Sequence, residues 1–384
     1  MNPMTNRARA NAVLHYEAYD HMPLVHFGFW RETVKKWWQE GHISNEDYER
    51  YINEEEYQGW WAGSSAENVI ASQLGFDYGH ECQAGIHERL LPGFEYQVLE
   101  ERPNGEIVHV NSNGLIEKVK PGVVSIPATI GTMLKDRDSW ERLYKEKLQP
   151  CAARVNLEIV RQMVEKQDSL TEAPLGLYGG SLYGSIRDML GVEELAYLQC
   201  DDEELYVEVI DTVAEVCYQG IKTVFEAGLR PDFLHFWEDI CFKNGPLVNP
   251  EVFEEYVGHH YRRITELAKQ YGCDIVTLDC DGCIDKLIPT WINNGVNTMF
   301  PIEVGTWNAN IAPWREQYGR ELRGIGGMDK RVFAADKAAV DAEIERLKPL
   351  VALGGYIPCP DHRIAPDAKW ELVQYYCEQF RKTY

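Results

Sequence analysis

In the second half of the chain, apolar runs repeatedly end in acidic residues. FLHFW, IVTL, NTMFPI, GIGGM and GGYIPCP are followed by Glu238-Asp239, by Asp279 and Asp281, by Glu303, by Asp329-Lys330 and by Asp361-His362. A single Asp after a strand ordinarily caps a helix or closes an Asx turn, and Asp239 and Asp329 suit that role best. A whole series needs another explanation. Like charges held close together raise one another's pKa unless a cation, a shared proton or a bound substrate compensates. The chemistry implied is therefore a metal centre, a cation site or a proton-sharing pair.

Two ligand sets compete for such a metal. Cys280-x-x-Cys283 and Cys359-x-x-His362 spell a CxxC…CxxH spacing that suits tetrahedral zinc. Asp279, Asp281 and His362, with Glu238 or Glu303 nearby, form an oxygen-rich set with one imidazole, which admits zinc and also harder ions. Strand geometry favours the second set. Neighbours on an extended strand point to opposite faces, so if Asp279 and Asp281 line a mouth, Cys280 faces the surrounding helices. His26 and His235, flanked by apolar residues, are expected to be satisfied inner-strand histidines. Trp237, Tyr178 and Tyr183 could wall an organic ligand, with Lys330 beside them, while Trp30, Trp60, Trp61 and Trp307 mostly serve packing.

These groups need elements to hold them. Strands are predicted at PLVHFGF from Pro23, 174–180, 233–239, 274–282, 296–303, 322–329 and 354–358, separated by amphipathic helices such as NPEVFEEYVGHHYRRITELAKQYG and AAVDAEIERLKPLVALG. Alternating strands and helices predict parallel strands with right-handed crossovers. Seven or eight such units close most economically as a single (β/α)8 TIM-type barrel, whose site lies at the strands' carboxyl ends. Residues 92–120 alternate polar and apolar around Asn104-Gly105 and Asn113-Gly114, which predicts an antiparallel hairpin insertion. No repeat or Pro/Gly-rich linker divides the chain, so residues 1–384 are expected to form one domain.

Composition narrows the partners. The 384 residues are 45% hydrophobic and carry a net charge of −23, which supports a large core and opposes binding to nucleic acid or anionic membranes. The ten cysteines are scattered, as in a reduced compartment. The longest apolar runs are strand-length and the N-terminus has no long apolar core, so a cytoplasmic protein is expected.

The runs FWEDICFKNGPLVNPEVFEEYVGHHYRRI, DIVTLDCDGCIDKLIPTWINNGVN, GGMDKR and GGYIPCPDHRIAPD together resemble the uroporphyrinogen decarboxylase superfamily. Within it the chain looks most similar to the corrinoid-linked methyltransferase branch. The resemblance implies a (β/α)8 barrel with its site at the carboxyl ends of the strands. It also implies a zinc ion held by a His-x-Cys-Gly motif and a late cysteine, positions that here fall on Asp279-Cys280-Asp281-Gly282 and His362. The family's zinc–thiolate set becomes Asp, Asp and His. The decarboxylase's arginine-rich "RQAGR" stretch is replaced by NAVLHYEAYDHMPLVHFGFWRE, where only Arg31 lies near, which argues against a polycarboxylate substrate.

The function expected is methyl transfer between a small donor, of methyl ether or methylamine type, and the cobalt of a corrinoid. The chain has no Asp-x-His-x-x-Gly corrinoid motif, so a partner protein would supply the corrinoid. Asp279, Asp281 and His362 would hold zinc or another divalent metal. Glu238, Glu303 and Asp361 would handle protons, and Trp237, Tyr178, Tyr183 and Lys330 would contact substrate. The alternatives are a lyase or decarboxylase of the same fold acting on a small acid, and a non-enzymatic corrinoid or small-molecule binding protein. A homodimer fits either enzyme reading.

Overall fold

Short apolar runs ended by charge or glycine become the strands of a parallel barrel. The computed structural model describes residues 3–58, 65–120 and 127–384. In chain order the strands are β1 (Val25–His26), β2 (Tyr78–Gly79), β3 (Ala84–Gly85), β4 (Gln97–Glu101), β5 (Ile107–Val110), β6 (Leu115–Val119), β7 (Ala128–Thr132), β8 (Gly176–Gly180) and β9 (Phe233–Trp237). They continue with β10 (Cys241–Phe242), β11 (Gly245–Pro246), β12 (Ile275–Asp279), β13 (Thr298–Ile302), β14 (Arg323–Met328) and β15 (Tyr356–Pro360).

Seven strands pair in parallel in the order β15-β14-β13-β12-β9-β8-β3, and β1 pairs in parallel with β2. Because β2 and β3 lie on one run of chain, that run pairs with β1 at its start and with β8 at its end. A parallel bridge between Phe29 and Ile364 joins the chain just past β1 to the chain just past β15. The circuit therefore has eight members and is the TIM-type barrel expected. The β2/β3 run is the member that the sequence does not announce. Its two short paired pieces are separated by His80-Glu81-Cys82-Gln83, which has no apolar alternation.

The insertion is larger than a hairpin. β4, β5, β6 and β7 form a four-stranded antiparallel sheet. Its first two turns carry Gly105 and Gly114 at φ +82° and +85°, as the Asn-Gly pairs imply. The helices between β8 and β12 include α1 (Gly184–Leu190), α2 (Glu203–Glu226) and α3 (His259–Gln270). The segment before α3 is a short α-helical turn at Pro250–Phe253 and then a π-helical turn at Glu254–Gly258. No described helix is long and apolar enough to cross a membrane.

Parity along the strands sets what faces inward. His235 pairs with Thr277 and Trp237 with Asp279, and the His235 ring nitrogen Nδ1 lies 2.7 Å from the Thr277 hydroxyl across the barrel lining. Leu234, Phe236 and Leu278, of the other parity, are buried against the helices, with Tyr261 of α3 packed edge-on to Phe236.

Candidate functional site

The chain leaves β9 and β12 side by side and delivers three carboxylates to one place. One oxygen each from Asp239, Asp279 and Asp281 lies within 4.8 Å of the other two. Asp239 has φ +48°, a left-handed backbone fixed from two sides: Arg187 of α1 donates to its carbonyl, and its Oδ1 accepts the Asp281 N–H at 3.0 Å. Gly282 completes the turn at φ +90°, where a Cβ would lie 2.6 Å from the Cys241 carbonyl, so no other residue fits. Its N–H donates to Glu303 at 2.6 Å, and Thr306 donates to the other Glu303 oxygen at 2.6 Å.

From β15, His362 places Nε2 at 3.4 Å from Asp281 Oδ2, with its ring stacked on Trp30 and edge-on to Phe27. Asp361 accepts the N–H of Gly305 at 2.6 Å and of Lys330 at 3.3 Å. The half-buried Lys330 side chain lies within the field of Asp361, Glu303 and Asp281. Of the predicted metal ligands, Asp279, Asp281 and His362 are thus brought together, with Glu303, Asp361 and Lys330 around them.

Charge is unbalanced here. Burial, reinforced by Asp239, Asp281 and Glu303, pushes the Asp279 pKa well above the usual carboxylate range. Burial and the charge of Asp281 push Asp239 up to about 7, and Glu303 rises for the same two reasons. Among the described residues nothing donates to the buried Asp281 Oδ1. Three converging carboxylates, a nearby imidazole and an orphaned carboxylate oxygen are what a divalent cation with a preference for oxygen would satisfy.

The thiol-rich alternative does not assemble. Cys280 is buried on the helix-facing parity, Cys359 is buried as well, and burial raises both thiols well above their usual pKa. No group of three or more potential ligands among the described residues includes a cysteine.

Other expectations need correction. Glu238 is 0% exposed and points to the helices, not into the mouth. It accepts from Ser181 Oγ at 2.9 Å, from the N–H groups of Leu182, Tyr183 and Gly184 at 2.8, 2.9 and 2.7 Å, and from the Tyr261 hydroxyl. With five donors it anchors the start of α1, and no position remains for a substrate. Tyr183 also turns to the rear, with its hydroxyl 3.0 Å from that of Tyr206. Tyr178 has the inward parity, but its hydroxyl donates to Glu88 at 3.0 Å. Trp237 stays at the mouth, with the Arg89 and Arg187 guanidinium groups 5.5 and 5.4 Å from its ring. Asp329 caps the turn after β14 by accepting from Arg331 N–H. Trp60 and Trp61 lie outside the described residues.

Three residues are absent from the predicted site: Asp239, expected only as a cap, and Glu81 and Cys82. Asp239 could have been found, because the parity that separates Cys280 from Asp281 also separates Glu238 from Asp239. Glu81 and Cys82 could not, since their strand was not recognisable. Burial and the charge of Glu67 push Glu81 up to about 7, and burial raises the Cys82 thiol together with the charges of Glu81 and Asp279.

An eight-stranded parallel barrel with a site at its carboxyl end defines the TIM-barrel class. The chain belongs to the uroporphyrinogen decarboxylase family, whose model, described as uroporphyrinogen decarboxylase (URO-D), matches residues 128–383. No curated protein matches the chain in sequence. Among solved structures, a methyltransferase from Methanosarcina mazei aligns over 98% of this chain and 99% of its own at 13% identity and a TM-score of 0.58, a likeness of fold. A chain assigned as a vitamin-B12-independent methionine synthase from Listeria monocytogenes aligns over 95% of this chain and 97% of its own. Its identity is 14% and its TM-score of 0.40 is too low to support an argument.

Proposed function

We propose that this chain, taken from 1 to 384 as one barrel domain, is a metal-assisted methyltransferase. It moves a methyl group between a small methyl ether or methylamine and a corrinoid carried by a partner protein. The observation that carries the reading is the carboxylate cluster of Asp239, Asp279 and Asp281 with its orphaned oxygen. The name of the Methanosarcina mazei structure points the same way.

Asp239, Asp279 and Asp281 would hold the divalent cation, with His362 alongside. When bound, it supplies Lewis-acid polarisation of the heteroatom that loses the methyl group. The remaining work falls to the chain's own side chains. Glu303 and Asp361, raised by burial, keep protons above the usual carboxylate range and can deliver one to the leaving oxygen or nitrogen. Lys330 balances the negative charge, and Trp237 and Trp30 provide flat apolar surfaces against which a methylated substrate can be oriented.

One observation favours a second reading. Arg89, Arg187 and Lys330 are cations near the mouth, and they could hold the carboxylate of a small acid in a decarboxylase or lyase.

The test incubates the purified protein, loaded with zinc, manganese or magnesium, with cob(I)alamin and a panel of methyl ethers and methylamines, following formation of methylcobalamin by absorbance. We expect transfer by the wild type and a loss of roughly 100-fold or more in Asp281→Ala. Full transfer by Asp281→Ala would overturn the reading. Absence of transfer together with release of carbon dioxide from a small acid would establish the second.

A further inference from the structure

A second group of potential ligands lies on the outer layer, away from the mouth. Asp211 of α2 and His259 and His260 at the start of α3 each offer one ligand atom, all within 4.8 Å of one another. We propose that Asp211, His259 and His260 form a separate structural site for a borderline divalent transition metal such as Zn(II), Co(II) or Ni(II), clamping α2 to α3.

The donor set differs from the mouth in kind. Two imidazoles and one carboxylate suit borderline cations, whereas three carboxylates suit harder ones. His260 Nε2 lies 2.9 Å from Asp211 Oδ1. A simple ion pair would need only that histidine. The His259 ring lies with its centroid 3.9 Å from that of His260, an approach that two imidazolium ions would resist.

Two features of the surroundings support the clamp. Consecutive residues on an α-helix point about 100° apart and would not ordinarily share a partner. A π-helical turn, Glu254–Gly258, ends immediately before His259, and turns of this kind are frequent at functional sites. Arg263, a cation whose charge acts on His260, is also engaged elsewhere, because it pairs with Glu215 at 2.6 Å. Tyr261, next in sequence, donates to Glu238, so a cation here would steady the packing behind β9.

The experiment is calorimetric titration of the chelator-treated full chain with Zn(II), done in two backgrounds. One is Asp279→Asn with Asp281→Asn, which removes the mouth site. The other is the wild type saturated with magnesium, which occupies oxygen-rich sites and neglects imidazole, so a folding defect in the double variant leaves one arm intact. We expect one zinc per chain in both, a higher melting temperature with zinc, and an affinity loss of about tenfold or more on adding His259→Ala or Asp211→Asn. No binding, or binding that either substitution leaves unchanged, overturns the proposal. Because one arm deletes the mouth, the other fills it with magnesium and neither reads methyl transfer, failure here is distinct from failure of the function proposed above.

Discussion

Glu238, fully buried just past β9, and Asp279, half-buried at the end of the adjacent β12, are both carboxylates, yet they are treated in opposite ways. Glu238 is surrounded by five donors from the Ser181–Gly184 turn and from Tyr261, which offset much of its burial although burial still raises its pKa. Asp279 is surrounded by Asp239, Asp281 and Glu303, so its neighbours oppose its charge. The first arrangement builds the fold. The second costs stability unless something from outside completes it, and that cost marks it as the candidate site.

The comparison breaks most visibly at Glu238. Glu238→Ala strands five buried donors and should cost about 3–5 kcal/mol in chemical denaturation, with Glu238→Gln recovering part of it. A cost below about 1 kcal/mol would mean that the cage does not hold the fold.

A smaller effect sharpens the other side. Asp239 has a folded pKa of about 7 against an ordinary 3.8. A carboxyl group raised on folding contributes stability that is complete below its ordinary pKa and lost as pH rises through the folded value. Metal-free protein should therefore lose stability between about pH 4 and pH 7, with Asp279 and Glu303 acting in the same direction. Saturating magnesium or zinc should flatten that decline in thermal denaturation, and Asp239→Asn should reduce it. An equally steep decline with and without cation would count against a metal at the mouth.

The smallest effect belongs to an acidic residue that does neither job. Asp329→Ala removes a cap and should cost about 1 kcal/mol while leaving cation affinity unchanged, as calorimetry can show. A loss of cation affinity would place Asp329 in the site.

Much of this architecture was legible because it rests on local periodicity. Alternation of strands and helices, glycine turns at residues 105 and 114, and acidic residues after β9, β12, β13 and β15 all follow from short stretches of chain. What stayed hidden depends on partners far away. The β2/β3 run exists as barrel strand only because β1 and β8 pair with it, and β7 extends the insertion only because β6 offers it an edge.

Glu238 and Asp239 show where the boundary lies. By itself the sequence determined that two carboxylates follow a strand and that alternate residues face opposite ways, since both are properties of a few consecutive bonds. Only the tertiary structure decided that the even parity of β9 meets α1 and α3, which makes Glu238 an anchor, and that Arg187 and Asp281 hold Asp239 in a left-handed turn toward the mouth. The physical reason is that a side chain's role is set by the dielectric and the donors around it, and long-range packing assembles both.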